Sequence, residues 1–299
     1  MNSTALIPGK DGLLAGNDEL LDAHRAIRAA QGRMDNLRGA SSVYAQACDH
    51  HREVTNWLNS ATSSAERGRI AALAADTGGF VGFLTYDQGM TEMAAGYYLN
   101  AADHAQAAGD LSVAANLLGQ YSRVAADQGR LTEALAIADR ALHIAGTRAH
   151  PAVRSWLHAV RAHHHAALKH VRSADSDIQT AWELLETADD GEMPPYIGYL
   201  DTAEIQKWVG HAMVRLGTST PGALRRGREA LDVAHASWPT DSVRGAAEML
   251  TSSASIYLAS GEREAADSVI NAAVTIAQNT GSARNLRAAL AVRTRMAAM

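Results

Sequence analysis

One spacing limits what this chain can fold into more than any other property of its sequence. A glycine, or a residue standing in its place, recurs at Gly89, Gly129 and Lys169, 40 residues apart each time, and again at Gly217 and Gly261. Small and apolar residues at three- and four-residue steps flank each of these positions, the mark of two amphipathic helices joined by a turn. The stretch Tyr121 to Leu142, YSRVAADQGRLTEALAIADRAL, shows the pattern most clearly. A fixed period of this length is the signature of like units stacked in an array.

The positions around each turn carry the same residue types. A small residue stands seven before it (Gly82, Ser122, Ala162, Gly210, Ala254), and Ala94, Ala134, Ala174 or Ala266 stands five after. Nine after comes Tyr98, Ala138, Ile178 or Ile270, and twelve after Ala101, Ala141, Ala181 or Ala273. Small residues on facing sides let two helices approach, and the larger ones fill what is left. The unit turning at Gly217 departs from this: TSTPG intervenes, and Gly227, Leu231 and Ala234 take the equivalent places.

The fold class expected is therefore all-α, a superhelix of about five helix pairs preceded by two helices. Abundant alanine with only two Phe agrees with helices packed through small side chains. Residues 1–18, with Pro8 and Gly9 adjacent, read as a flexible extension, and 19–299 as one domain. A first helix is predicted over Glu19 to Ala30. A longer run follows from about Met34 to Ser60, with Leu37, Val43, Tyr44, Val54, Trp57 and Leu58 on one buried face. A capped break comes at Ser60 to Ser64. The segment Asp189 to Gly198, with Pro194 and Pro195, reads as the clearest loop, and Asn285 to Ala297 as the closing helix. Gly78-Gly79, between helical segments, reads as a tight turn or a close approach.

Charge and cysteine content narrow the function classes. The formal net charge is −5, without the clustered basic face of a nucleic-acid binder. The densest basic group, Arg225, Arg226 and Arg228, reads as a solvated helix face. No stretch reaches the ~18 apolar residues of a membrane span, and no leader is evident. The single cysteine, Cys48, forbids an internal disulfide and suits the cytoplasm; a small core thiol is its expected role. Five histidines, His158, His163, His164, His165 and His170, lie close together, with His50 and His51 adjacent elsewhere. The shared-face spacing i, i+7 puts two of them roughly 10 Å apart, too far for one ion. No metal or cofactor is expected, and no catalytic motif is present.

A small residue, then Gly-x-x-x-x-Ala, then a large apolar residue and a further alanine resembles the tetratricopeptide repeat, over about Glu66 to Met299. The period exceeds that repeat's usual ~34 residues. The segments RGRIAALAADTGGFVGFLTYDQG and AAGYYLNAADHAQAAGD resemble, more narrowly, the C-terminal repeat region of actinobacterial helix-turn-helix regulators. The DNA-binding domain of such regulators has no counterpart ahead of the repeats, so nucleic-acid binding is not expected. The resemblance implies a right-handed superhelix whose first helices line a concave groove.

Transferred onto this sequence, the groove positions are Asp76, Phe83, Tyr86 and Asp87 in the first unit, and Asn116, Gln120, Arg123 and Asp127 in the second. The third supplies Trp156 and His163, and the fourth Glu204, Lys207, Trp208, His211 and Arg215. Such a surface suits a peptide, protein or small effector, and the function expected is a non-catalytic binding or regulatory module. The alternative is a small enzyme of specialised metabolism on the same scaffold, with Asp76, Asp127, Glu204 or His163 as acid or base. A homodimer through exposed aromatic positions of Val81 to Tyr98 is a third reading.

Overall fold

The computed structural model describes residues 10–188, 193–240 and 242–299. Among the described residues there are thirteen α-helices, short 3-10 turns and no strand. In chain order they are α1 (Lys10–Arg38), α2 (Tyr44–Ser60), α3 (Ser64–Asp87), α4 (Thr91–Ala107), α5 (Leu111–Asp127), α6 (Leu131–Ala145) and α7 (Pro151–Ala167). There follow α8 (Val171–Glu186), α9 (Thr202–Leu216), α10 (Ala223–Ser237), α11 (Val243–Ala259), α12 (Arg263–Asn279) and α13 (Ala283–Ala297). No helix among the described residues is long and apolar enough to cross a membrane.

Each sequence-predicted turn joins two helices, and most do so by one device. At Gly129, φ is 78°, and its N–H donates to the Ala126 carbonyl at 3.0 Å while Arg130 N–H reaches the Ala125 carbonyl at 3.0 Å. The left-handed residue turns the chain and satisfies carbonyls the helix end would otherwise leave bare. Gly89, Gly109, Gly261 and Gly281 repeat the arrangement; the two of these between units, Gly109 and Gly281, carry no separate signal in the 40-residue pattern. Lys169 occupies the same conformation with φ 65°, which costs a side-chain-bearing residue about 1–2 kcal/mol. Its Nζ donates to the Arg215 and Leu216 carbonyls, capping the end of α9 and offsetting that strain.

The small positions do what their spacing predicts. A Cβ on Gly82 would stand 3.1 Å from the Tyr98 ring, and one on Gly210 2.5 Å from Leu231. The small residue before a turn thus faces the larger residue after it. Ala94, Ala134, Ala174 and Ala266 are fully buried, as are Ala101, Ala141, Ala181 and Ala273. Gly227, Leu231 and Ala234 take these places in the irregular unit, all buried. Gly78 and Gly79 lie inside α3 and make no turn. They are close approaches, Gly78 to His51 of α2 and Gly79 to Leu117 of α5.

The N-terminal reading needs correction. Helix α1 runs through Gly32 and breaks at Gly39, whose positive φ lets it pack against the Thr280 carbonyl. The predicted run from Met34 to Ser60 is therefore split. Leu37 is 78% exposed at the end of α1, while Val43, Val54 and Leu58 are buried as predicted. Lys10 to Asp18, read as extension, opens α1; residues 1–9 lie outside the described residues. So do Asp189 to Glu192 of the predicted loop, beyond which Ile197 and Leu200 are buried in the core. Ser63 caps α3 by accepting from Glu66 N–H at 3.2 Å.

Two rows of helices result. In the inner row, α3, α5, α7, α9, α11 and α13 each touch the next, and α13 returns to touch α3. The outer row, α4, α6, α8, α10 and α12, pairs with them along the chain. The inner helices thereby form a circuit, and their polar stripes meet inside it.

Candidate functional site

The interior of this circuit gathers charged and aromatic side chains from all six inner helices. Glu248 of α11 is its centre. Arg284 of α13 donates to its Oε1, Lys207 of α9 stands 3.8 Å and Arg123 of α5 3.9 Å away, and His211 Nε2 lies at 4.0 Å. Burial opposes ionisation here, but Arg284, Lys207 and Arg123 outweigh it and hold the Glu248 carboxyl well below the usual range. Around this point Trp208 Nε1 donates to Glu204 at 2.9 Å, and Lys207 Nζ reaches the same carboxylate at 2.7 Å. The Tyr86 hydroxyl donates to Asp127. The Arg123 guanidinium sits between the rings of Trp208 and Tyr86, 5.2 and 5.7 Å from their centroids.

The histidines of the interior are neutral. Burial, with Lys207 next, lowers His211 to about 3, and burial with Arg123 lowers His164 to about 3. Burial and the adjacent Arg215 hold His163 well below its usual value. Arg215 Nε donates to His163 Nε2 at 3.1 Å. Since arginine only donates, Nε2 accepts and the ring proton sits on Nδ1. The Ser122 hydroxyl donates to the Gly119 carbonyl at 2.7 Å, so it accepts from His164 Nε2 at 2.9 Å.

Tyr199 marks where the interior opens. Burial raises its hydroxyl above the ordinary tyrosine range, yet the residue keeps 46% of its surface open. Protein surrounds the hydroxyl while part of the ring stays open. Gln120 Nε2 donates to this hydroxyl at 3.5 Å.

A polar seam closes the circuit. Arg244 of α11 forms a two-pronged pair with Asp35 of α1, one prong at 2.7 Å, and lies 3.4 Å from Asp87 of α3. Ser282, ahead of α13, donates to Asp87 at 2.6 Å, and Arg284 stands 3.7 Å from it. The Arg244 guanidinium also covers the Phe83 ring at 4.8 Å.

Of the residues expected in a groove, the structure brings Tyr86, Asn116, Gln120, Arg123, Asp127, His163, Glu204, Lys207, Trp208, His211 and Arg215 to the interior, with Phe83 at the seam. Two expectations are corrected. Trp156 is core, because Gly119 leaves room for its ring on α5 and Trp208 meets it edge-on at 6.4 Å. Asp76 pairs with Arg28 of α1 at 3.4 Å, away from Arg123. Most of the others bind one another rather than facing open solvent, and Glu204, Lys207 and Trp208 are buried.

Glu248 was legible, since it stands thirteen residues before its turn at Gly261, the offset that also picks Asn116 and Glu204. Arg284 was not, because no turn follows α13 to measure from. Asp35 and Arg244 meet across 209 positions, beyond any local pattern.

The remaining candidates resolve into local structure. His158 Nδ1 and Arg161 hold Asp177 at 2.8 and 2.7 Å, with His165 at 3.8 Å. Burial opposes it, but His158 and Arg161 keep the Asp177 carboxyl below its usual range. Among the described residues no group of three such side chains is placed to hold a metal. His50 stacks on His24 at 5.1 Å, while the adjacent His51 meets Thr77 at 3.0 Å on another face. Cys48 is half-buried against the cluster containing Ala47 and Val81. Arg225, Arg226 and Arg228 pair with Glu229, Asp175 and Glu262 on the surface. The aromatic residues of Val81 to Tyr98 do not form an exposed face: Tyr86 and Tyr98 are buried, and Phe83 and Tyr97 partly so.

No family model matches this chain, and no curated protein does. Among solved structures it is similar to the crystal structure of BtubC (BKLC) from P. vanneervenii. The TM-score is 0.52 at 14% identity, over 81% of this chain and 92% of that one. At that identity the likeness speaks for a shared helical fold.

Proposed function

We propose that this chain is a non-catalytic binding or regulatory module of tetratricopeptide-like build, a right-handed superhelix whose interior captures an effector. One observation carries the reading. Tyr86, Arg123, Trp208, Glu248 and Arg284, from five helices far apart in sequence, converge in one polar cluster. Gathering buried charge is costly, and a fold needs only apolar contacts to close. Closure of the inner helices into a circuit favours a small effector over an extended peptide. The single cysteine and the composition support a cytoplasmic location for the proposed module.

The enzymatic alternative has less support. A general base needs a free lone pair near its working pH. His163 already has its one lone pair on Arg215, and both oxygens of the Glu204 carboxylate are engaged, by Trp208 and by Lys207. The test is native mass spectrometry of the chain incubated with the small-molecule fraction of a cell extract. Wild type should retain a bound compound that Trp208→Ala with Arg123→Ala does not. Retention of nothing by the folded wild type would refute the reading.

A further inference from the structure

We infer that the interior takes a small oxyanion, a carboxylate or phosphate, seated on Arg123. The inference rests on the reading of the interior as an effector site and adds the ligand's chemical class.

The distribution of partners among the buried cations points to it. Arg244 has Asp35, Arg284 has Glu248, and Lys207 has Glu204, each within hydrogen-bond distance. Arg123 has no such carboxylate. Its Nη1 donates to the neutral Gln120 at 2.8 Å, and Glu248 stays 3.9 Å away. Arg215, exposed at the edge of the interior, likewise bonds a neutral partner, His163. Charge-assisted bonds from guanidinium to carboxylate or phosphate are the strong ones, and these two arginines have that capacity unused.

Among the described residues of the interior the unpaired buried groups are mostly donors, the exception being His164 Nδ1, a bare lone pair because that ring's proton sits on Nε2. Asn116 Nδ2, His163 Nδ1 and the Tyr98 hydroxyl are all buried without a partner. Asn116 Nδ2 donates, His163 Nδ1 carries its proton by the tautomer argued above, and a hydroxyl can donate. The Tyr98 hydroxyl lies in the field of Arg123. Buried donors left bare cost about 1–3 kcal/mol each, so an incoming group that brings acceptors is favoured and an amine is opposed. Trp208, beside Arg123, supplies an apolar wall.

The test is calorimetric titration of the full chain with a panel of carboxylates and phosphates, beside neutral and cationic compounds of like size. An oxyanion should bind, and Arg123→Gln should weaken it by about tenfold or more. Arg123→Lys should lose less. Arg215→Gln, at an exposed position that leaves the fold intact, should weaken binding severalfold. The carboxylate and phosphate arms separate the two sources. Binding of no oxyanion, or oxyanion binding indifferent to both Arg123→Gln and Arg215→Gln, would overturn the inference. If a neutral or cationic compound binds instead and is lost on Trp208→Ala, the anion class falls while the effector site stands. If compounds of no charge class bind, both fall.

Discussion

Arg244→Ala would remove the part of the polar seam that ties α11 to α1 and α3. Asp35 is 3% and Asp87 0% exposed, so neither carboxylate can turn to water for compensation. Asp87 keeps the Ser282 hydroxyl at 2.6 Å and Arg284 at 3.7 Å. The loss therefore falls on Asp35, which gives up a two-pronged arginine. Removing one partner of a buried pair costs about 3–5 kcal/mol, and at about 2–3 °C per kcal/mol for a chain of this size the melting temperature should drop by roughly 6–15 °C. Burial already raises the Asp35 pKa, against the pull of Arg244. A carboxyl whose folded pKa is raised is held back at high pH and relieved as pH falls through that value. The deficit of Arg244→Ala should therefore shrink on acidification, and Asp35→Asn in the same background should restore most of it at pH 7. Scanning calorimetry of the four chains in this double-mutant cycle measures both effects. A drop below ~2 °C for Arg244→Ala, or an Asp35→Asn change that deepens the loss, would refute a seam held by this pair.

Two further outcomes follow from packing and charge. Gly119→Ala would set a Cβ 2.5 Å from Leu157 and Trp156 and should destabilise by about 1–3 kcal/mol. Gly96→Ala, in the exposed middle of α4 with nothing within 4 Å, should stabilise by about 0.5–1 kcal/mol. Denaturant midpoints compare the two. His51, lowered to about 4 by burial and by His104, joins His164 and His211, each at about 3. Their folded pKa values lie below the unfolded value of 6.5, so the unfolded chain binds protons first as pH falls. Stability should decline from pH 6.5 toward pH 4, each histidine contributing at most about 2.7 kcal/mol by pH 4.5. Removing the fully buried member with His164→Gln should flatten this slope; an unchanged slope in urea titrations at several pH values would contradict it.

The helix pairs were legible because one glycine register repeats, and the residues set by it, from Ala94 to Ala273, are buried where the spacing puts them. The N-terminal pair was not, because Gly32 and Gly39 look alike in sequence. Only Gly39 meets a backbone, that of Thr280, which leaves no room for a Cβ. The candidate site was half legible for a related reason. A polar stripe on an inner helix follows from the period, so Arg123 and Trp208 could be placed. That the stripes face one another closely enough for Arg123 to approach Glu248 depends on how the units curve, which no single unit encodes. Trp156 became core through the room that Gly119 leaves for its ring on the neighbouring helix.

The return of α13 to α3 has one more consequence. In an open array, a unit can be added or lost at either end with little effect on the rest. Here the first and last inner helices are neighbours, so inserting or deleting one unit would carry Asp35 and Asp87 out of reach of Arg244 and Ser282. The number of units is thereby fixed, and this molecule should tolerate point substitution far better than any change in the length of its array.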